Sequence, residues 1–298
     1  MYRKIRVLLS LTVIVTGTIL LGDQWRLYQG VPKSYVWDEV ENFLKIQASP
    51  NDLIVFEPGW VSGYAQDVGR LRSYSAVTSR EIFKGEFPPS PKLWVISILK
   101  SPRLASHLSK NGFIPEISDT LYSVHLTSYR IPSKEAVYDF SEHLQEAQVS
   151  IDYGDDNVQK AELENGAWIF RDDLTEWNQV SVRAESFRNQ TRRCIWFHPI
   201  EAGLKRISFP NIPMSKRLRI FGGIVDSGLR TPPGTPVFLS VEVGDNKVGT
   251  IEFNDTDVSF NHAIDLDNPA SANQQVSFEV QTKEQGMRHF CFSAWSES

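Results

Sequence analysis

Between Cys194 and Cys291, the only two cysteines of the chain, short apolar or alternating runs follow one another, each closed by Gly, Pro, Asn or Asp. Such a pattern is built for antiparallel strands packed in two layers and leaves little room for anything else. The runs predict strands over 193–197, 205–209, 218–225, 237–243, 247–253, 258–264, 276–282 and 289–295. Within 237–243 the residues alternate with period two. Gly244-Asp245-Asn246 follows as a hairpin turn, because Gly and Asn accept positive φ at little cost. With many strands and no strand-helix-strand spacing, a jelly-roll or Greek-key sandwich is expected, with its first and last strands as neighbours.

That neighbourhood bears on the cysteines. Strands 193–197 and 289–295 lying side by side would bring Cys194 and Cys291 within disulfide reach. Two buried free thiols are the alternative. The choice depends on the compartment. Met1 to Arg6 is basic, Val7 to Gly22 is uncharged, and Trp25 and Tyr28 follow as aromatics suited to a membrane interface. At ~1.5 Å per residue the uncharged run is ~24 Å long, which a spanning helix attains only if Ile5 counts and Arg6 snorkels. Leu20-Leu21-Gly22 lacks the small-x-small pattern of a cleavage site, which favours an uncleaved anchor over a signal peptide. Both readings put the body outside the cytoplasmic membrane, where disulfides persist.

A chain of 298 residues with 41% hydrophobic residues can bury two cores. The expected class is an α+β multidomain protein: a basic flank and transmembrane anchor over 1–31, a small α/β domain over 32–132, a linker helix over 133–148 and a jelly-roll-like antiparallel β-sandwich over 149–298. In the α/β domain, Val36, Val40, Phe43, Leu44 and Gln47 mark one face of a helix that ends by Ser49-Pro50. Strands are expected over 52–56 and 92–98, a helix from Ser101-Pro102 to Lys110 and a closing strand over 121–131, giving a mainly parallel sheet. Val137, Phe140, Leu144 and Ala147 stand at helical spacing in the linker, and further strands are expected over 149–153, 167–171 and 179–188, for a sandwich of ten or eleven strands.

The segments N-D-L-I-V-F-E-P-G-W (51–60), P-K-L-W-V-I (91–96), L-S-K-N-G-F (108–113) and Y-S-V-H-L (122–126) together resemble the extracytoplasmic domain of GT-C glycosyltransferases. Those enzymes hold their catalytic carboxylate between several membrane spans. This chain offers one candidate span, so the resemblance implies association with glycan assembly without sugar transfer. The sandwich, in its strand pattern and its C-I-W-F-H-P and R-H-F-C-F ends, resembles carbohydrate-binding modules.

No P-loop, dinucleotide fingerprint or nucleophile elbow occurs, and the six histidines have no zinc spacing, so no catalytic residue, metal or cofactor is expected. Asp265-Leu-Asp267-Asn268 reads as a solvated turn more readily than as a calcium loop. Phe221-Gly222-Gly223 reads as close packing inside a strand. The net charge of -5 argues against nucleic acid. Trp196 and Trp295 fall at core positions, whereas Trp177 has polar neighbours and could stack on a sugar ring. Asp226 and Arg230 supply an acid and a base on one loop. Trp177, Asp226 and Arg230 are the candidate carbohydrate contacts.

The expected function is a non-catalytic, membrane-anchored accessory protein of cell-envelope glycan or glycolipid assembly, binding a membrane-protein partner and possibly glycan. The alternatives are a structural subunit whose sandwich docks protein and an extracytoplasmic hydrolase. An exposed Trp beside Asp226 and Arg230 would favour the first, a flat apolar patch on the sandwich the second, and a paired-carboxylate cleft lined by Trp the third.

Overall fold

The computed structural model describes residues 31–297 apart from 68–70, 100, 133–135, 172–175, 189, 202, 214–215, 230–232, 257–260 and 267–272. The expected anchor over 1–31 therefore lies almost wholly outside the described residues. Among those described, no helix is long and apolar enough to cross a membrane.

The first layer follows the order α1 (Ser34–Gln47), β1 (Leu53–Glu57), α2 (Val61–Asp67), β2 (Ser75–Val77), α3 (Ser79–Lys84), β3 (Lys92–Ser97), α4 (Pro102–Lys110), β4 (Ile114–Leu121) and β5 (Val124–Arg130). In α1, Val36, Trp37, Val40 and Leu44 form the buried stripe. The sheet order is β2-β1-β3-β5-β4. β1 runs parallel to β2 and β3, whereas β5 is antiparallel to both β3 and β4. The sheet is thus mixed, where a mainly parallel one was expected. The expected strand over 121–131 is the second arm of a hairpin. Its first arm, β4, is an edge strand with mostly exposed side chains, so no apolar run announced it.

The second layer pair is an antiparallel sandwich. One sheet joins β17 (Asn261–Asp265), β14 (Arg217–Ile224), β19 (Phe290–Glu297), β12 (Gln190–Trp196), β11 (Val180–Phe187), β10 (Ala167–Ile169) and β9 (Glu162–Glu164) in that order, with β6 (Ala136–Asp139) also on β19. The other joins β16 (Asn246–Phe253), β15 (Val237–Val243), β18 (Gln274–Thr282), β13 (Leu204–Ile212), β7 (Gln148–Asp152) and β8 (Val158–Lys160). These sheets of eight and six strands exceed the ten or eleven expected, because β6, β8 and β9 are too short to show a pattern. The core between them includes Phe140, Phe170, Phe197, Phe209, Phe253, Phe278, Phe290 and Phe292. Gly222 fits that core: a Cβ there would meet Phe292 at 3.1 Å and the Phe253 ring at 3.2 Å. The β15–β16 turn carries Gly244 at φ 59°, as a tight hairpin requires.

The expected linker helix over 133–148 does not form. Its described part is β6, paired with β19, followed by a single 3₁₀ turn over Leu144–Glu146. Phe140, Leu144 and Ala147 are buried as their spacing implied, but they enter the sandwich core from the turns that follow β6 and not from a helix. Pairing with β19 satisfies the β6 backbone, and the Asp139 carboxylate accepts the Ser141 N–H and turns the chain away.

Cys194 and Cys291 form a disulfide across β12 and β19, with Cα atoms 5.8 Å apart, both fully buried. It closes 97 residues, worth about 4 to 5 kcal/mol in the chain-entropy account. The disulfide lies on the face of the sheet opposite the main core, in a second cluster with Phe187, Trp196, Phe221, Val225 and Trp295. The α/β layer packs against this face. Glu81 of α3 receives the Thr78 N–H and hydroxyl in a capping box and, from the other side, the Arg192 guanidinium at 2.6 Å. Arg192 is 4% exposed and stands 4.8 Å over the Phe221 ring.

Two outcomes test this core. Replacing both cysteines by Ala should lower unfolding free energy in urea by about 4 kcal/mol. Arg192→Met should cost about 3 to 5 kcal/mol by stranding the Glu81 charge, and adding Glu81→Gln, which keeps the cap without the charge, should recover part of that loss.

Candidate functional site

β19 has two partners on one side. β12 pairs with its first half, through Ile195 and Trp196, and β6 pairs with its second half, through Trp295 and Ser296. Where these partners diverge, a cleft of about 480 Å³ opens between sandwich and α/β layer. The sandwich side supplies Asp139, Ser141, Glu142, Arg193, Ser293 and Trp295. The α/β side supplies Asn51, Ser75 and the strap Phe87-Pro88-Pro89-Ser90-Pro91. Proline rings and the Phe87 edge give apolar walls. Ser90 is held by its hydroxyl, which donates to the Asn51 carbonyl at 2.8 Å.

Arg193 ties the two sides together. Its N–H donates to the Ser75 hydroxyl at 2.8 Å, and its guanidinium reaches Glu142 at 2.6 Å and the Asn51 side-chain oxygen. Asn51 in turn donates to Glu142 at 3.3 Å. Asp139 is the deeper carboxyl. Burial pushes its pKa up to about 6; the Ser141 N–H opposes the shift, the Glu142 charge adds to it, and the Glu142 N–H and Arg193 oppose it. Across the cleft the protein therefore presents a fixed cation, amide and hydroxyl groups, and an acid that changes state near pH 6.

The sequence candidates lie elsewhere. The Trp177 ring is half-buried against both sandwich clusters and 5.1 Å from His198, and its carbonyl accepts from Trp196 Nε1. Asp226 accepts from the Ser186 hydroxyl at 2.6 Å and from the Arg188 N–H at 2.7 Å. It lines a smaller cavity of about 370 Å³ with Arg72, Glu185, Ser186, Thr191 and Ser227. Arg230 lies outside the described residues. Trp196 and Trp295 are buried, as their strand positions implied. Asp265 pairs with Arg217, and Asp267 and Asn268 fall outside the described residues. Among the described residues, no group of three His, Cys, Asp or Glu side chains could hold a metal ion. Burial lowers the His198 pKa to about 4; its bond to the Pro199 carbonyl opposes this, while Lys205, His289 and Arg288 add to it.

Reading the sequence missed Asp139, Glu142, Arg193 and the proline strap. The strap was visible as F-P-P-S-P, and the α3 cap as Thr78-Ser-Arg-Glu81.

No protein-family model matches the chain, and no curated protein matches it. Solved structures do show likeness. The CBM51-2 and INT domains of Clostridium perfringens ZmpB align at 13% identity and TM-score 0.30, over 39% of this chain and 25% of that one. The CBM22-1-GH10 modules of Clostridium thermocellum Xyn10B, complexed with xylohexaose, align at 12% and 0.30, over 56% and 29%. TmCBM61, complexed with β-1,4-galactotriose, aligns at 13% and 0.26, over 56% and 96%. The chain thus spans a quarter to under a third of the first two. None of the three is a GT-C glycosyltransferase, and the resemblance of residues 32–132 to that family finds no support in them.

The Asp139 assignment fixes a sign. Its folded pKa lies above the ordinary 3.8, so the folded protein keeps a proton that the unfolded chain gives up. The resulting stability is complete below about pH 4 and is lost as pH rises through about 6. Asp139→Asn should therefore gain on the parent by roughly 2 to 3 kcal/mol between about pH 4 and pH 7 in urea unfolding. The His198 contribution, of opposite sign, is common to both proteins and cancels. A difference that does not change with pH would return Asp139 to its ordinary value.

Proposed function

We propose that this chain is a non-catalytic, membrane-anchored, extracytoplasmic glycan-binding protein that serves cell-envelope glycan or glycolipid assembly. The observation that carries the glycan part is the cleft at the split in β19. Its proline and Phe87 walls suit the apolar C–H faces of a sugar, and Arg193, Asn51, Ser141, Ser293 and Glu142 suit its hydroxyls. Anchoring rests on the uncharged run Val7 to Gly22 and its basic flank. A membrane-protein partner belongs to the same proposal. So does a secondary, weaker sugar contact at Trp177, Asp226 and Arg230, of which Asp226 lines the smaller cavity.

A second reading has its own support. Asp139, an acid with a pKa near 6, stands beside Glu142 in a cleft lined by Trp295, and paired carboxyls in different environments are the kit of a glycoside hydrolase.

Calorimetric titration of the full chain with envelope oligosaccharides distinguishes these readings. Arg193→Ala should weaken binding roughly tenfold or more, the loss of one charged hydrogen bond, while Asp226→Ala, at the secondary contact, should weaken it by less than about twofold. The reverse pattern moves the sugar to the smaller cavity, and absence of binding to any envelope glycan overturns the proposal. Reducing ends released by the parent and not by Asp139→Asn would establish the hydrolase.

A further inference from the structure

Of the seven large apolar side chains left exposed on the described α/β layer, five gather at one end; Ile46, late in α1, and Ile114, at the start of β4, lie toward the other. β1 and β3 run parallel, with Glu57 opposite Ser97, so Trp60 and Tyr64 after β1 and Leu99 after β3 come off the same end of the sheet. β5 is antiparallel to β3, with His125 opposite Ser97, which puts the β4–β5 hairpin tip at Tyr122 on that end too. The α1 helix precedes β1 through a short connection and runs back against it, so its first turn, with Tyr35, arrives at the same rim. Contact between the Tyr35 and Tyr122 rings at 5.5 Å, edge to face, fixes this placement. Trp60 and Tyr64 make a second edge-to-face pair at 5.9 Å. Tyr122 is 66% exposed, Leu99 53%, Tyr35 50% and Trp60 41%. The ends of β1 and β5 are two strand spacings apart, about 10 Å, so these side chains share one small rim. Tyr122 holds the tip with φ 55°, a left-handed conformation.

Such a rim is costly in water and suits the headgroup region of a bilayer, where Trp and Tyr keep their polar atoms wet and their rings in apolar surroundings. The chain also enters the described structure here. The uncharged run ends at Gly22, and only Asp23 to Lys33 separate it from α1, a span of at most about 40 Å if fully extended. Exposed Lys33 stands beside Tyr35 and can reach headgroup phosphates.

We propose that the rim formed by Tyr35, Trp60, Tyr64, Leu99 and Tyr122 rests on the lipid surface. This deepens the membrane-anchored reading and rests on it. The docking also sets an orientation. Asn51 lies just before β1 and Pro91 just before β3, at the opposite ends of the strands, so the cleft faces away from the bilayer across the strand length, roughly 20 Å.

The test uses the full chain in vesicles of phosphatidylethanolamine and phosphatidylcholine. Nitroxide labels are placed one at a time at Trp60→Cys, Tyr122→Cys and, as the control, Lys110→Cys at the far end of the α/β layer; the native cysteines are already paired. Collisions with dissolved oxygen and with a water-soluble nickel chelate report the depth of each label. The oxygen-to-nickel ratio should be several-fold higher at 60 and 122 than at 110. Equal ratios at all three positions overturn the docking. Shielding from both reagents means burial in protein, such as a second copy, and overturns it as well. Anchoring is read separately, from resistance to alkaline extraction. An extractable chain refutes the anchor, and its label ratios then decide the docking independently. A resistant chain with water-exposed labels refutes the docking alone.

Discussion

The contact between Glu81 and Arg192 sets how the two parts of this protein meet. A buried carboxylate and guanidinium each lose several kcal/mol of hydration, so the pair persists only where other bonds complete it. Here the Glu81 carboxylate is already engaged by its own capping box, and Asn261 approaches it from the sandwich. Arg192 adds its contact with the Phe221 ring. The ion pair thus fastens a helix start of one layer to the exposed face of a sheet in the other. Beside it the disulfide and Trp196 complete a dry patch that an isolated sandwich would show to water.

The cleft follows from this docking. β19 is longer than either partner on its second side, and the gap between β12 and β6 would be open solvent without the α/β layer. The proline strap and Asn51 close it from above, and Arg193, one residue after Arg192, turns into it because side chains alternate along a strand. Asp139 acquires its raised pKa from the same closure: water is excluded from the carboxyl, and Arg193, committed to Glu142 and Asn51, offsets only part of that cost. The electrostatics of the site are therefore a property of the assembled layers.

The local pattern was legible where a strand or helix carries its own signal. The runs between Cys194 and Cys291 gave β12 to β19 within a few residues, and the spacing of Val36, Val40 and Leu44 gave α1. It failed where pairing overrode spacing. Val137, Phe140, Leu144 and Ala147 have helical periodicity, yet β19 offers hydrogen bonds to the backbone of 136–140 and the sandwich core takes up Phe140, Leu144 and Ala147, so a short strand followed by turns wins over a helix. β4, β8 and β9 are edge strands with little buried surface and hence little pattern.

By itself the sequence determined the sandwich, the adjacency of Cys194 and Cys291, the burial of Trp196 and Trp295, and an alternating helix-strand layer ahead of them. All of these depend on periodicity and on turn residues, which are local properties of the chain. Only the tertiary structure decided that Asp139, Glu142 and Arg193 share a cleft with a strap some fifty to one hundred residues earlier in the chain. It also engaged Asp226 with Ser186 and Arg188 and turned the aromatic rim of the α/β layer to one end. Those outcomes depend on which strands pair and which faces meet, and no stretch of sequence carries that information alone.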